Sequence, residues 1–160
     1  NEEGTMVSDI NVEFYSSEYS EDGGKDSTLA VVYYSSDSNG VTKKLTLKVN
    51  MANFENLDIN DVNGYAGDSS CSLDRVIAHE FTHAVMAANI TGFKRLPHCL
   101  VEGSAELVHG IDDFRTSTII ALAKVQNSDE LSEALSDMRS NYKYQINYAG
   151  GYMLLRFSLF

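Results

Sequence analysis

Apolar and polar positions alternate along the first part of the chain and recur at helical spacing along the second. Ile10, Val12 and Phe14 alternate with polar neighbours, which predicts a strand. Thr28 to Tyr34 is a run of β-branched and aromatic residues that predicts a second strand, of the buried kind. Ser35 to Gly40 ends in Asn39-Gly40, a strong turn signal. After it, Leu45, Leu47, Val49 and Met51 share one face, and Lys44, Thr46, Lys48 and Asn50 take the other. Two lysines on one face suit a half-exposed or edge strand, because charge there discourages pairing with stray chains. From Asp58 to Ser70 the chain is polar and rich in turn formers. Its oxygen-bearing side chains would suit Ca2+, but they miss the one-three-five spacing and closing Glu of a calcium loop, so turn formation explains them better.

Helical patterns begin at Ser72, which can cap a helix running to about Asn89 with Asp74 in its first turn. Gly92 can end that segment. The only proline, Pro97, precedes a second helix expected from about Leu100 to His109, with Gly110 as its stop. Further helices are expected near Thr116 to Val125, with Ile119, Ile120 and Leu122 inward, and near Ser128 to Met138. A last helix is expected from about Gln145 to the chain end, despite Gly150-Gly151 near its start. The fold class implied is α+β, as one domain over 1–160 that is strand-rich over 1–70 and helical over 71–160.

Charge sharpens this division. The 160 residues carry 23 acidic and 12 basic side chains, a net charge of −11. Residues 1–70 hold 13 acids and 4 bases, and residues 71–160 hold 10 and 8, so most of the excess lies in the strand-rich part. Such a surface repels phosphate backbones and anionic headgroups, which argues against nucleic acid and membrane as partners. No apolar run reaches the roughly 20 residues of a membrane-spanning helix, and Asn1-Glu2-Glu3-Gly4 lacks the order of a signal peptide. A chain opening at Asn is expected to be a processed or excised piece. Cys71 and Cys99 are too few for a thiolate zinc site; they form either one disulfide or two free thiols.

The chemistry concentrates in His79-Glu80-Phe81-Thr82-His83, an HExxH sequence inside the strongest helical pattern. Residues four apart share a helix face, so both imidazoles can meet one ion while Glu80 flanks the remaining coordination position. Val76, Ile77, Ala84, Val85, Ala87 and Ala88 surround the motif, which predicts a mostly buried helix. Two histidines and a carboxylate buried without partners would be costly. Catalytic zinc takes three protein ligands and keeps one position for water. Asn89, His98 and Glu102 are the residues to weigh as the third ligand. A metzincin would place His where Asn89 stands, which excludes that branch. Glu102, on the second expected helix and 19 residues beyond His83, is the best candidate. Glu106 falls one helical turn later on the same face and could accept a proton from a ligating His, with His79 as the expected partner.

Leu73 to His83, with Val101-Glu102-Gly103-Ser104-Ala105-Glu106-Leu107 downstream, resembles a gluzincin metallopeptidase. Within that group it is most similar to the bacterial collagenase type, and more closely to flagellinolysin, the metallopeptidase domain inserted in some flagellins. The resemblance is specific from about Leu73 to Gly110. It implies a zincin-like fold with a small antiparallel or mixed N-terminal sheet. It also implies one zinc held by His79, His83 and Glu102, with Glu80 as the base and Glu106 as a supporting carboxylate. Asn147-Tyr148-Ala149-Gly150-Gly151-Tyr152 resembles a tyrosine-bearing helix of the collagenase type, and Leu45 to Met51 is placed like the edge strand of such enzymes.

The expected function is therefore zinc-dependent endopeptidase action on extracellular polypeptide, with flagellin filament as a further expected setting. Glu80 would take the proton from the attacking water and return it to the leaving amine. Tyr148 would donate a hydrogen bond to the oxyanion, with Tyr152 as the alternative. An extended substrate would add along the strand Leu45 to Asn50. His98 and His109 read as loop or helix-end residues rather than ligands. The rival reading is a non-catalytic metal-binding module of a flagellar filament, although a purely structural zinc site has no need of Glu80.

Overall fold

In a computed structural model, residues 7, 9–21, 24, 26–54, 72–110, 115–124, 127–129, 132 and 141–159 are described, and side chains over 141–145 and at 159 are not. The expected loop from Asp58 to Ser70, with its calcium reading, lies outside them, as does most of the helix expected near Ser128 to Met138. The chain forms two compact units, Asn1–Lys94 and Arg95–Phe160. The seam does not fall at the change of texture near residue 70, because the HExxH helix belongs with the sheet.

The first unit holds a three-stranded mixed sheet in the order β1 (Asn11–Tyr15), β3 (Thr42–Asn50), β2 (Ala30–Ser36). β1 runs parallel to β3, and β2 runs antiparallel to it. The edge and buried roles expected of two strands are thereby exchanged. Leu45 to Asn50 lies in the central strand, and the Thr28 to Tyr34 run forms a half-buried flanking strand whose Tyr33 is exposed. The lysines mislead because the sheet is covered on one face: Leu45, Leu47 and Val49 are buried, while Lys48 stays on the other face with its Nζ 2.9 Å from Glu13 Oε2 of β1. Both hydrogen-bonding edges of β3 are occupied, so substrate cannot add along Leu45 to Asn50 as expected. β1 keeps its period-two pattern yet exposes both Val12 and Phe14.

Asn50 was expected on the polar face with the lysines, but it is fully buried. Its Oδ1 accepts from the backbone of Ser17 at 3.0 Å and of Ala52 at 3.2 Å, and its Nδ2 donates to the Ser17 carbonyl at 2.9 Å and to Asp26 Oδ2 at 3.3 Å. A buried amide needs such partners. The β2–β3 turn is held by Asp37, whose Oδ1 accepts from the backbone N–H of Asn39 and Val41. Gly40 supplies a positive φ of 79°, as the Asn-Gly pair predicts.

One helix, α1 (Leu73–Asn89), packs on β2 and β3. Its Leu73 and Val76 join a core of Leu47, Val49 and Phe54. Ser72 occupies the N-cap position as expected, but its hydroxyl donates to Asp74 Oδ1 and makes no capping bond to the backbone. The helix is half-buried, not mostly buried: Ala84 and Ala87 are buried, whereas Val85 is 58% exposed. Its far end is pinned to the hairpin, because the Gly92 N–H donates to the Gly40 carbonyl at 2.8 Å and Phe93 meets the Tyr34 ring edge to face.

The second unit contains α2 (His98–His109), α3 (Thr116–Ala123) and α4 (Asn141–Leu159). Pro97 sits at the N-cap of α2, so the helix begins two residues before the expected Leu100, and Gly110 ends it with φ 78°. α4 starts four residues ahead of Gln145 and carries Gly150-Gly151 within it. The two glycines are accommodated because α4 packs closely on α2. On α3, Leu122 is buried and Ile119 packs beside it, but Ile120, expected inward, is 49% exposed. Neighbouring residues on a helix point about 100° apart, so Ile120 falls outside the packed stripe. Among the described residues, no helix is long and apolar enough to cross a membrane.

Candidate metal centre

The sequence places two imidazoles one helical turn apart on α1. His79, Glu80 and His83 are all half-buried, and each offers a ligand atom within 4.8 Å of the others. The two imidazole rings stand edge to face with centroids 4.7 Å apart and planes at 85°. Two imidazoles on one helix turn are donors of the type zinc accepts, so His79 and His83 fit the ion, with the Glu80 carboxylate beside them. The opposite stripe of α1, with Phe81, Ala84 and Val85, lines a separate cleft of about 220 Å³ with Leu45 and carries none of this chemistry.

In the second unit, α2 buries two carboxylates one turn apart, Glu102 at 6% exposure and Glu106 at 0%. Burying a carboxylate is expensive unless cations or donors accompany it. His98 Nδ1 lies 3.9 Å from Glu102 Oε1. Around Glu106 the company is closer: Arg115 Nε is 3.0 Å from its Oε1, and His109 Nε2 is 3.6 Å from the same atom. Burial pushes the Glu106 carboxyl up, but His109 and Arg115 more than offset this, so its pKa lies below the ordinary carboxylate value. His109 does end α2, as expected, yet its side chain is only 3% exposed and faces Glu106. The signal for this was its position three residues after Glu106, which places both on one face.

Arg115 was not foreseen. It is 7% exposed, and its guanidinium carbon lies 4.1 Å from the centre of the Tyr148 ring. The two tyrosines offered as oxyanion donors therefore differ. Tyr148 has the guanidinium of a buried arginine over its ring, whereas the Tyr152 hydroxyl accepts from the exposed Arg156 at 3.3 Å. Beside Tyr148, Asn147 is fully buried and its amide has no hydrogen-bond partner among the described residues. Cys99, three residues before Glu102, carries a free thiol and is half-buried.

His79, Glu80 and His83 thus belong to the first unit, and Glu102, Glu106 and Tyr148 to the second. No family model, curated protein or solved structure matches the chain.

Proposed function

We propose that the protein is a zinc-dependent endopeptidase of the gluzincin, bacterial collagenase type. The observation that carries this reading is the cluster of His79, Glu80 and His83 on one turn of α1, with their ligand atoms within 4.8 Å of one another. His79 and His83 would hold the ion, with Glu102 of α2 as third ligand. Zinc so bound would lower the pKa of water to about 7 and so supply a hydroxide-like nucleophile at neutral pH. Glu80 would accept the proton of the attacking water and deliver it to the departing amine, one carboxylate serving as base and then acid. Tyr148 would donate its phenolic hydrogen to the oxygen of the scissile carbonyl as charge develops there. Glu106 would hold a proton of a ligating imidazole and so fix its tautomer. The setting proposed is outside the cell, with the flagellar filament surface as the specific site.

The test combines metal analysis with cleavage of an unfolded protein substrate by the zinc-loaded chain and by Glu80→Gln. One zinc per chain is expected, lost on His79→Ala. Glu80→Gln is expected to keep the metal and to lose cleavage by at least a factor of about 10². If wild type and Glu80→Gln bind zinc and are equally inert, the protein is a metal-binding module and not an enzyme.

A further inference from the structure

One cation in the second unit touches both of the residues whose roles are hardest to assign from sequence. Arg115 Nε lies 3.0 Å from Glu106 Oε1, and the Arg115 guanidinium carbon lies over the Tyr148 ring, 4.1 Å from its centre. Arg115 and Glu106 are buried, at 7% and 0% exposure. Taking both charges out of water is costly, and apolar residues of similar volume would often serve stability as well or better. An expensive ion pair in this position therefore calls for a role beyond stability. Guanidinium chemistry supplies one. It is planar and charged at all relevant pH values, with donors around its edge and a face that stacks on aromatic rings. Arginine can hold a carboxylate with its edge and a phenol ring with its face at the same time. Lysine, a compact point charge, can do the first but cannot lie flat on the ring.

We infer that Arg115 is a positioning residue of the proposed peptidase site, fixing the direction of the Glu106 carboxylate and the plane of the Tyr148 ring as one unit. The inference rests on the zinc-peptidase reading. Through Glu106 it acts on the orientation of a metal-ligating imidazole, and through Tyr148 on the placement of the hydrogen that meets the oxyanion. A phenol misplaced by a fraction of an ångström loses donor geometry in the transition state while substrate binding is little changed.

The experiment compares Arg115→Lys, Arg115→Met, Tyr148→Phe and the double variant Arg115→Lys/Tyr148→Phe in the full chain. It reads thermal melting, zinc affinity by competition with a chromophoric chelator, and kcat and KM on a fluorogenic peptide. Arg115→Lys keeps the charge and is the variant that must fold. It is expected to lower kcat at least tenfold with KM and zinc affinity within about twofold, whereas Arg115→Met, which leaves Glu106 without its cation, is expected to weaken zinc binding by a factor in the range of about 10 to 100. The double variant is expected to have the kcat of Tyr148→Phe alone, since the two changes remove the same interaction. Wild-type kcat in a folded Arg115→Lys, or wild-type zinc affinity in a folded Arg115→Met, would overturn the inference and leave the peptidase reading standing. So would kcat losses that multiply in the double variant. A wild-type chain that takes up no zinc and cleaves nothing would overturn both, and that control is read before any variant.

Discussion

Gly103 and Gly151 meet backbone to backbone where α2 and α4 pack together. A Cβ on Gly103 would collide with the main chain of Gly151, and one on Gly151 would collide with the carbonyl of Cys99. Both clashes are with backbone, which cannot swing aside as a side chain can. An alanine in an open helix interior would stabilise by up to about 1 kcal/mol relative to glycine. Here the sign reverses: Gly151→Ala is expected to cost at least about 2 to 3 kcal/mol through overpacking. Urea unfolding checks this, and a variant as stable as wild type would refute the close approach.

Asn50 ties β3 to Ser17, Asp26 and Ala52. Asn50→Ala would strand several backbone groups, at a cost of about 1 to 3 kcal/mol for buried polar groups left without partners. For a chain of this size that corresponds to a fall in melting temperature of very roughly 3 to 10 °C. Lys44→Ala, at an exposed position a few residues earlier in the same strand, is expected to leave melting unchanged.

The lowered pKa of Glu106 fixes the sign of an acid effect. In the folded chain the carboxyl holds its charge to lower pH than in the unfolded chain, whose reference value is 4.5. Above that value both states are ionised and the stabilisation is complete. As pH falls below it, the unfolded chain takes up its proton first, and the advantage is lost as pH drops through the folded value. Glu106→Gln should therefore flatten the dependence of melting temperature on pH below 4.5, compared with wild type.

Asn147 presents the opposite case. Its amide is buried without a partner among the described residues, so a side chain of similar shape without polar atoms should not be penalised. Asn147→Leu is expected to melt at the same temperature as wild type or higher. A clear drop would show that the amide has a partner, such as a bound water.

Zinc, if held as proposed, stabilises the folded state by mass action. At free zinc about 100 times its dissociation constant the gain is about 2.7 kcal/mol. Chelation should lower the melting temperature by very roughly 5 to 10 °C in wild type and by nothing in His79→Ala/His83→Ala.

The turn bearing His79 and His83 was legible because everything that makes it is local: apolar positions at helical spacing, Ser72 and Asp74 at the start, Gly92 after the end. The elements that form α2 were also legible, to within two residues, from Pro97 and Gly110. Strand order was not. An exposed face carrying lysines belongs equally to an edge strand and to the centre of a sheet covered on one side, and only pairing with β1 and β2 separates these for Lys44 and Lys48. The environment of Glu106 was half legible. His109 shares its helix face at a spacing that can be read directly, but Arg115 reaches Glu106 from beyond the end of α2 and Tyr148 reaches Arg115 from another helix. No pattern of spacing along the chain encodes such a meeting.

The mixed pairing of β3 sets an order in time. β2 and β3 close through a short turn capped by Asp37 and Gly40, whereas β1 must come back from far upstream to pair in parallel, against a larger loop-closure entropy. Since α1 rests on β2 and β3, the support of the histidine pair can assemble from the hairpin and helix before β1 arrives. β1 is then the strand that frays first, and in deuterium its amides should exchange sooner than those shared by β2 and β3.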